Sequence, residues 1–168
     1  MAVFYIMYLM EQLNTTFFNE IRNGNLNEVQ NLLQTNPELV NSRDDRGSTP
    51  LVLATYYDHL DIADALLTNG AIIDEKDASG NTALMGVCFK GYTALANKLI
   101  EKGANVNERN AMGATCLIYA ATFNREEIAK ILLLNGADAA AKDVRGNTAL
   151  DHAKIQGIDS LISMLENH

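Results

Sequence analysis

The chain has 168 residues, of which 48% are apolar and 20% charged, enough apolar content for a packed core and too little polarity for a disordered chain. Thirteen Lys and Arg against 21 Asp and Glu leave a formal charge of −8. That balance argues against nucleic acid, whose affinity rests on a basic face, and against an anionic membrane surface. A basic partner, or one indifferent to charge, fits better.

Read from the N-terminus, residues 1–14 are an extra apolar segment, opening with Met-Ala-Val-Phe-Tyr-Ile-Met-Tyr-Leu-Met. No Lys or Arg precedes the run and Glu11-Gln12 comes straight after it, so it lacks the basic n-region and small-residue cleavage site of a secretory signal. It is also too short to span a bilayer. We expect a helix or strand lying on the first repeat of the chain; Met7 or Met10 is an alternative start.

Beyond it, the chain is periodic. Gly47, Gly80, Gly113 and Gly146 stand 33 residues apart, and Thr49, Thr82, Thr115 and Thr148 keep the same step, as do Leu51, Leu84, Leu117 and Leu150. Gly70, Gly103 and Gly136 form a second series, each followed by alanine, and Asp44, Asp77, Asn110 and Asp143 open the blocks. Such self-similarity is the signature of a repeat architecture. In each block an Asp or Asn with a glycine after it predicts a turn. The threonine then predicts a helix N-cap, with Pro50 at the first helical position of the first block. A first helix of about two turns ends near Tyr57, Gly91 and Asn124. A second helix, shown by Leu60, Ala63, Leu66 and Leu67 at three- and four-residue steps, stops at Gly70. Residues 44–76, 77–109 and 110–142 are therefore three full repeats. Residues 15–43 match the second helix at a step of 34, one residue being inserted at Pro37, and read as an N-terminal capping repeat. Residues 143–168 read as a C-terminal capping repeat with a polar tail. One such unit cannot bury its own apolar face, so the units must stack.

Ser48-Thr49-Pro50-Leu51, Leu66-Leu67-Thr68-Asn69-Gly70-Ala71 and Leu99-Ile100-Glu101-Lys102-Gly103-Ala104 resemble the ankyrin repeat, over roughly residues 15–168. The resemblance implies an all-α solenoid of stacked helix-turn-helix units with short turn or hairpin connections. Where the family often carries histidine after Thr-Pro-Leu, this chain has Val52, Met85, Ile118 and Asp151. A side-chain hydrogen-bond network is lost there, and apolar packing should replace it.

The resemblance also implies a protein-protein interaction module (an adaptor, inhibitor or regulatory subunit) that binds on the concave face made by turn tips and first helices. Carried over residue by residue, the tips are Arg46 and Ser48, Ser79 and Asn81, Met112 and Ala114, and Arg145 and Asn147. The first-helix ends are Tyr56 and Tyr57, Phe89 and Lys90, Thr122 and Phe123, and Ile155 and Gln156. Tyr56, Tyr57, Phe89 and Phe123 are large aromatics where the repeat does not require them, and aromatics are enriched in interface hot spots. Packing against neighbouring repeats is the competing reading. Lys76, Arg109 and Lys142 recur every 33 residues and read as a basic line at the rim or as a solvated face. Asp58, Asp61, Asp64, Glu126 and Glu127 read as outer-face charges.

No catalytic constellation appears: His59, His152 and His168 are scattered, and no phosphate-binding, HExxH or GxSxG motif is present. Cys88 and Cys116 lack metal or redox spacing and read as buried apolar residues of a reduced compartment. We therefore expect a cytoplasmic monomer with a protein partner, and no enzyme activity, cofactor, metal, nucleic acid, small-molecule substrate or membrane. The alternatives are an exported effector or envelope protein, if residues 1–10 act as a targeting segment, and a structural protein that self-associates.

Overall fold

The computed structural model describes residues 1–168, the side chain of Ala2 excepted. Helices are its only regular elements among the described residues, and they come in pairs. These are α1 (Ala2–Asn23) with α2 (Leu26–Thr35), α3 (Pro50–Tyr56) with α4 (Leu60–Thr68), and α5 (Ala83–Lys90) with α6 (Thr93–Glu101). Next come α7 (Cys116–Thr122) with α8 (Glu126–Leu134), then α9 (Ala149–Gln156) with α10 (Asp159–Glu166).

The first helices are short because both ends are chemically marked. Thr49, Thr82 and Thr115 each accept the backbone N–H three residues on, at 3.1, 3.3 and 3.3 Å. Thr148 does the same for Asp151, whose carboxylate accepts the Thr148 N–H in return, a reciprocal capping box. At the other end, the chain must turn left-handed to enter the second helix. Gly24, Gly91 and Gly157 supply that conformation, whereas Asp58 (φ 62°) and Asn124 (φ 53°) adopt it as the two non-glycine exceptions.

Stacking follows from the apolar stripe on each helix. The first helices pack in the order α1, α3, α5, α7, α9, each also against its own second helix. Ala54, Ala63, Ala96, Ala120 and Ala129 are fully buried where the helices meet. Larger fully buried residues fill between them: Phe17, Ile21, Ile62, Leu66, Leu95, Leu99 and Leu132. Met85 and Ile118 are buried in place of the family's histidine, while Asp151 is spent on its capping box. The extra residue at Pro37 is absorbed in a 3₁₀ turn, Pro37–Asn41, whose Leu39 and Val40 are buried.

Side chains staple each repeat to the next. Lys76 donates to the Arg109 carbonyl at 2.9 Å, and Arg109 to that of Lys142 at 2.7 Å. Lys76 also pairs with Glu108 at 2.8 Å. The three residues read as a basic line or a solvated face therefore act in part as a ladder: two of the three cations are committed to the next repeat. The acids are not simply solvated either, since Asp64 bridges to Lys98 at 2.8 Å across two second helices.

The N-terminal segment is helical, one of its two expected forms, but differs in placement. Residues 3–10 do not lie on the first repeat. They continue the first helix of the cap as one 22-residue α1, and Val3 to Met10 are each 47–79% exposed. No Gly or Pro interrupts the chain before Gly24, so nothing ends the helix sooner. Only its second half, through Phe17, Phe18 and Ile21, meets the stack. Among the described residues no helix is long and apolar enough to cross a membrane.

Candidate protein-binding face

Each turn is closed by one side chain. Asp44, Asp77, Asn110 and Asp143 each use one oxygen to accept the backbone N–H groups two and four residues on. Those groups belong to Arg46 and Ser48, Ser79 and Asn81, Met112 and Ala114, and Arg145 and Asn147. The expected tips are thus held by a single repeated device. Adjacent tips are joined as well: Ala111 donates to the Ser79 carbonyl at 3.2 Å and Val144 to that of Met112 at 3.0 Å. The closeness of the turns explains the glycines in them, since a Cβ on Gly80 would lie 2.8 Å from the Ala111 nitrogen.

Between these tips and the first helices runs a row of grooves. The first, about 380 Å³, is lined by Phe18, Arg22, Asp44, Asp45, Arg46 and Tyr57. A second, about 290 Å³, brings Arg46 and Ser48 together with Tyr56 and Tyr57. A third, about 300 Å³, brings Asn81, Phe89 and Phe123 to Tyr56. A fourth, about 200 Å³, joins Met112, Thr122, Phe123 and Arg145. Ser79, Lys90 and Asn147 line none of the four.

The aromatics are exposed and touch in two pairs. Tyr56 and Tyr57 are 45% and 44% exposed, Phe89 and Phe123 both 39%. Phe89 meets Phe123 edge to face with ring centres 4.7 Å apart, and Phe123 lies parallel to Tyr119 at 6.1 Å. Tyr56 meets Tyr57 edge to face, and the Lys90 ammonium sits 4.1 Å from the Tyr56 ring centre. Their backbone is pinned: Arg125 donates twice to the Phe89 carbonyl, at 3.1 and 3.2 Å. The lateral contacts fix the rings to one another and leave their outer surfaces in water.

Other residues of the face escape a reading limited to tips and helix ends, among them Val52, Met85, Gly86 and Tyr119 in the third groove. Tyr119 ties the face together, since Asn110 donates to its hydroxyl at 3.0 Å and to the Asn81 side chain at 2.9 Å. A signal for it exists. Tyr119 comes nine residues after Asn110, as His152 does after Asp143, and His152 meets Asp143 at 2.8 Å. That contact holds the Asp143 carboxyl below its ordinary range, with the Asn147 and Arg145 N–H groups adding to the effect against the opposing pull of burial.

Among the described residues no group of three His, Cys, Asp or Glu side chains could hold a metal ion. Cys88 and Cys116 are buried, and burial, then the neighbouring Cys116, pushes the Cys88 thiol well up.

The family model described as ankyrin repeats, in three copies, matches residues 17–110 and 84–168. No curated protein matches the chain.

Proposed function

The chain belongs to the ankyrin-repeat family, and from that premise we propose that it is an adaptor, inhibitor or regulatory subunit whose protein partner docks on the turn tips and exposed first-helix ends. Ankyrin repeats are generally protein-protein interaction modules and generally not enzymes. The observation that carries the reading is the row formed by two aromatic pairs, Tyr56–Tyr57 and Phe89–Phe123. All four are more than a third exposed, and the repeat register demands an aromatic at none of these places. Rigid aromatic surface of this kind supplies much contact area at little entropic cost. The binding residues in this reading are Arg46, Ser48, Tyr56, Tyr57, Ser79, Asn81, Phe89, Lys90, Met112, Thr122, Phe123, Arg145 and Asn147.

Pull-down with the wild-type chain and with Tyr56→Ala/Phe89→Ala/Phe123→Ala tests it. The variant should lose specific partners; identical partner sets would contradict the proposal.

A second reading, self-association through α1, draws on the eight exposed residues from Val3 to Met10. Contiguous apolar surface of this extent marks interaction sites. Light scattering of the full chain and of one starting at Glu11 separates this from the monomer of the first reading. The first reading also takes the cytoplasm as the site of action. A native chain cleaved after residue 10, detected by mass spectrometry, would favour export instead.

A further inference from the structure

The four turns are built alike, but one of them is left incomplete. In each, the first oxygen of the opening Asp or Asn closes the turn, and its second polar atom is free to bond elsewhere. Asp44 uses it on Arg22 at 2.6 Å, Asn110 on Tyr119 at 3.0 Å, and Asp143 on His152 at 2.8 Å. Asp77 accepts Ser79 and Asn81 at 2.8 and 2.9 Å through Oδ1, and its Oδ2 has no partner among the described residues. Tyr119 and His152 stand nine residues after their partners. The corresponding place after Asp77 is Gly86.

Gly86 is not there for the fold. It lies inside α5 without a positive φ, and a Cβ built on it would meet nothing within 4 Å. A glycine inside a helix costs about 1 kcal/mol relative to alanine. What its missing side chain leaves is the groove of about 300 Å³, walled by Val52, Tyr56, Met85, Phe89, Tyr119 and Phe123, with Asp77 on its lining. The nearby cations do not neutralise that carboxylate. Lys90 is over the Tyr56 ring, and neither it nor Arg46 forms an ion pair with Asp77. Its charge reaches across the groove. The Tyr119 phenol is pushed above its ordinary value, first by burial and further by Asp77, against the opposing hydrogen bond from Asn110.

We propose that this groove takes an arginine side chain of a protein partner, its guanidinium on the free Asp77 oxygen and its methylenes between Tyr56 and the Phe89–Tyr119–Phe123 wall. The chain itself partners the second polar atom in the other three turns, with an arginine at Asp44, and leaves that of Asp77 open, so the partner completes the set. Charge complementarity favours a cation, on a protein of net charge −8. The partly apolar groove favours arginine over lysine, because a guanidinium is less strongly hydrated than an ammonium and its planar fork matches a carboxylate. The inference rests on the concave-face reading above and names the chemistry of the residue at its centre.

The test uses a library of random twelve-residue peptides displayed against the full chain. The selected peptides should share a fixed arginine, and its replacement by glutamine should weaken binding at least ten-fold. Asp77→Asn should cost a similar factor and leave folding intact, because the next repeat closes the same turn on Asn110. The two losses should not add when combined. Gly86→Leu should fill the groove and abolish binding without lowering the melting temperature, which separates a blocked site from a damaged fold. A pool with no fixed arginine, a selection that enriches nothing, or full affinity of the Asp77→Asn variant for the selected peptides overturns the proposal. If Tyr56→Ala/Phe89→Ala/Phe123→Ala abolishes binding while Asp77→Asn does not, the concave face stands and the arginine site falls. If neither variant changes binding, both fall.

Discussion

Asp74→Asn should make the protein more stable, and the reason lies in two of its register equivalents. Asn41 donates to the Gly70 carbonyl at 3.1 Å and accepts the Ile72 N–H at 2.9 Å. Asn107 donates to the Gly136 carbonyl at 2.9 Å and accepts the Asp138 N–H at 2.8 Å. Each side chain therefore closes a two-way clamp onto the next repeat. Asp74 occupies the same place between them, and both its oxygens accept the Asn105 N–H, at 3.1 and 3.2 Å. As a carboxylate it has no hydrogen to give, and no donor among the described residues reaches the Gly103 carbonyl. The substitution restores that bond, worth about 1 kcal/mol. In a chain of this length that is a rise of roughly 2–4 °C in melting temperature.

The pH dependence identifies the cause. Burial raises the Asp74 pKa, as does Glu108, while the Asn105 N–H and Lys76 oppose the rise. A carboxyl with a raised folded-state pKa binds its proton more tightly folded than unfolded. Its charged form therefore destabilises the wild type fully above that raised value. The penalty fades as pH falls toward the unfolded value of about 3.9. Protonated, Asp74 can itself donate to Gly103. Urea unfolding followed by circular dichroism, at about pH 7 and about pH 4, measures the difference. The variant should lead at neutral pH and lose its lead in acid. Equal stability at neutral pH, or a gap that does not narrow, would refute the reasoning.

Other consequences are as direct. Thr82→Ala removes a buried cap from α5 and should cost about 1–2 kcal/mol, read from the urea midpoint. Removing residues 1–10 should leave the melting temperature unchanged to within about 1 °C, because Val3 to Met10 touch no core; a large drop would mean that they pack on it. Cys88 and Cys116 should react with a thiol reagent only as fast as the chain opens, so that labelling rises with urea along the unfolding curve.

The repeat itself was legible because its signals are local. A threonine before an apolar pair, a glycine after one, and a 33-residue step between them identify helices and turns without reference to any neighbour. What crosses from one repeat to the next was not legible. Lys76 looks like any exposed lysine until the stack sets the Arg109 carbonyl 2.9 Å away. The continuity of α1 was ambiguous because an unbroken apolar run lacks the period that separates helix from strand. On the candidate face, the aromatics stand out as surplus to the register, whereas nothing in the sequence alone singles out Tyr119 or Gly86. Only the bonding of Asn110 to Tyr119, and of Asp143 to His152, shows what Asp77 lacks.

The central claim is that the residues the solenoid does not need, clustered on the tips and first helices, are the ones a partner covers. Hydrogen–deuterium exchange of the chain, alone and with a partner recovered by pull-down, tests it most directly. Protection should appear at the turn tips and along the C-terminal halves of α3, α5 and α7. Protection confined to α4, α6 and α8 would contradict it.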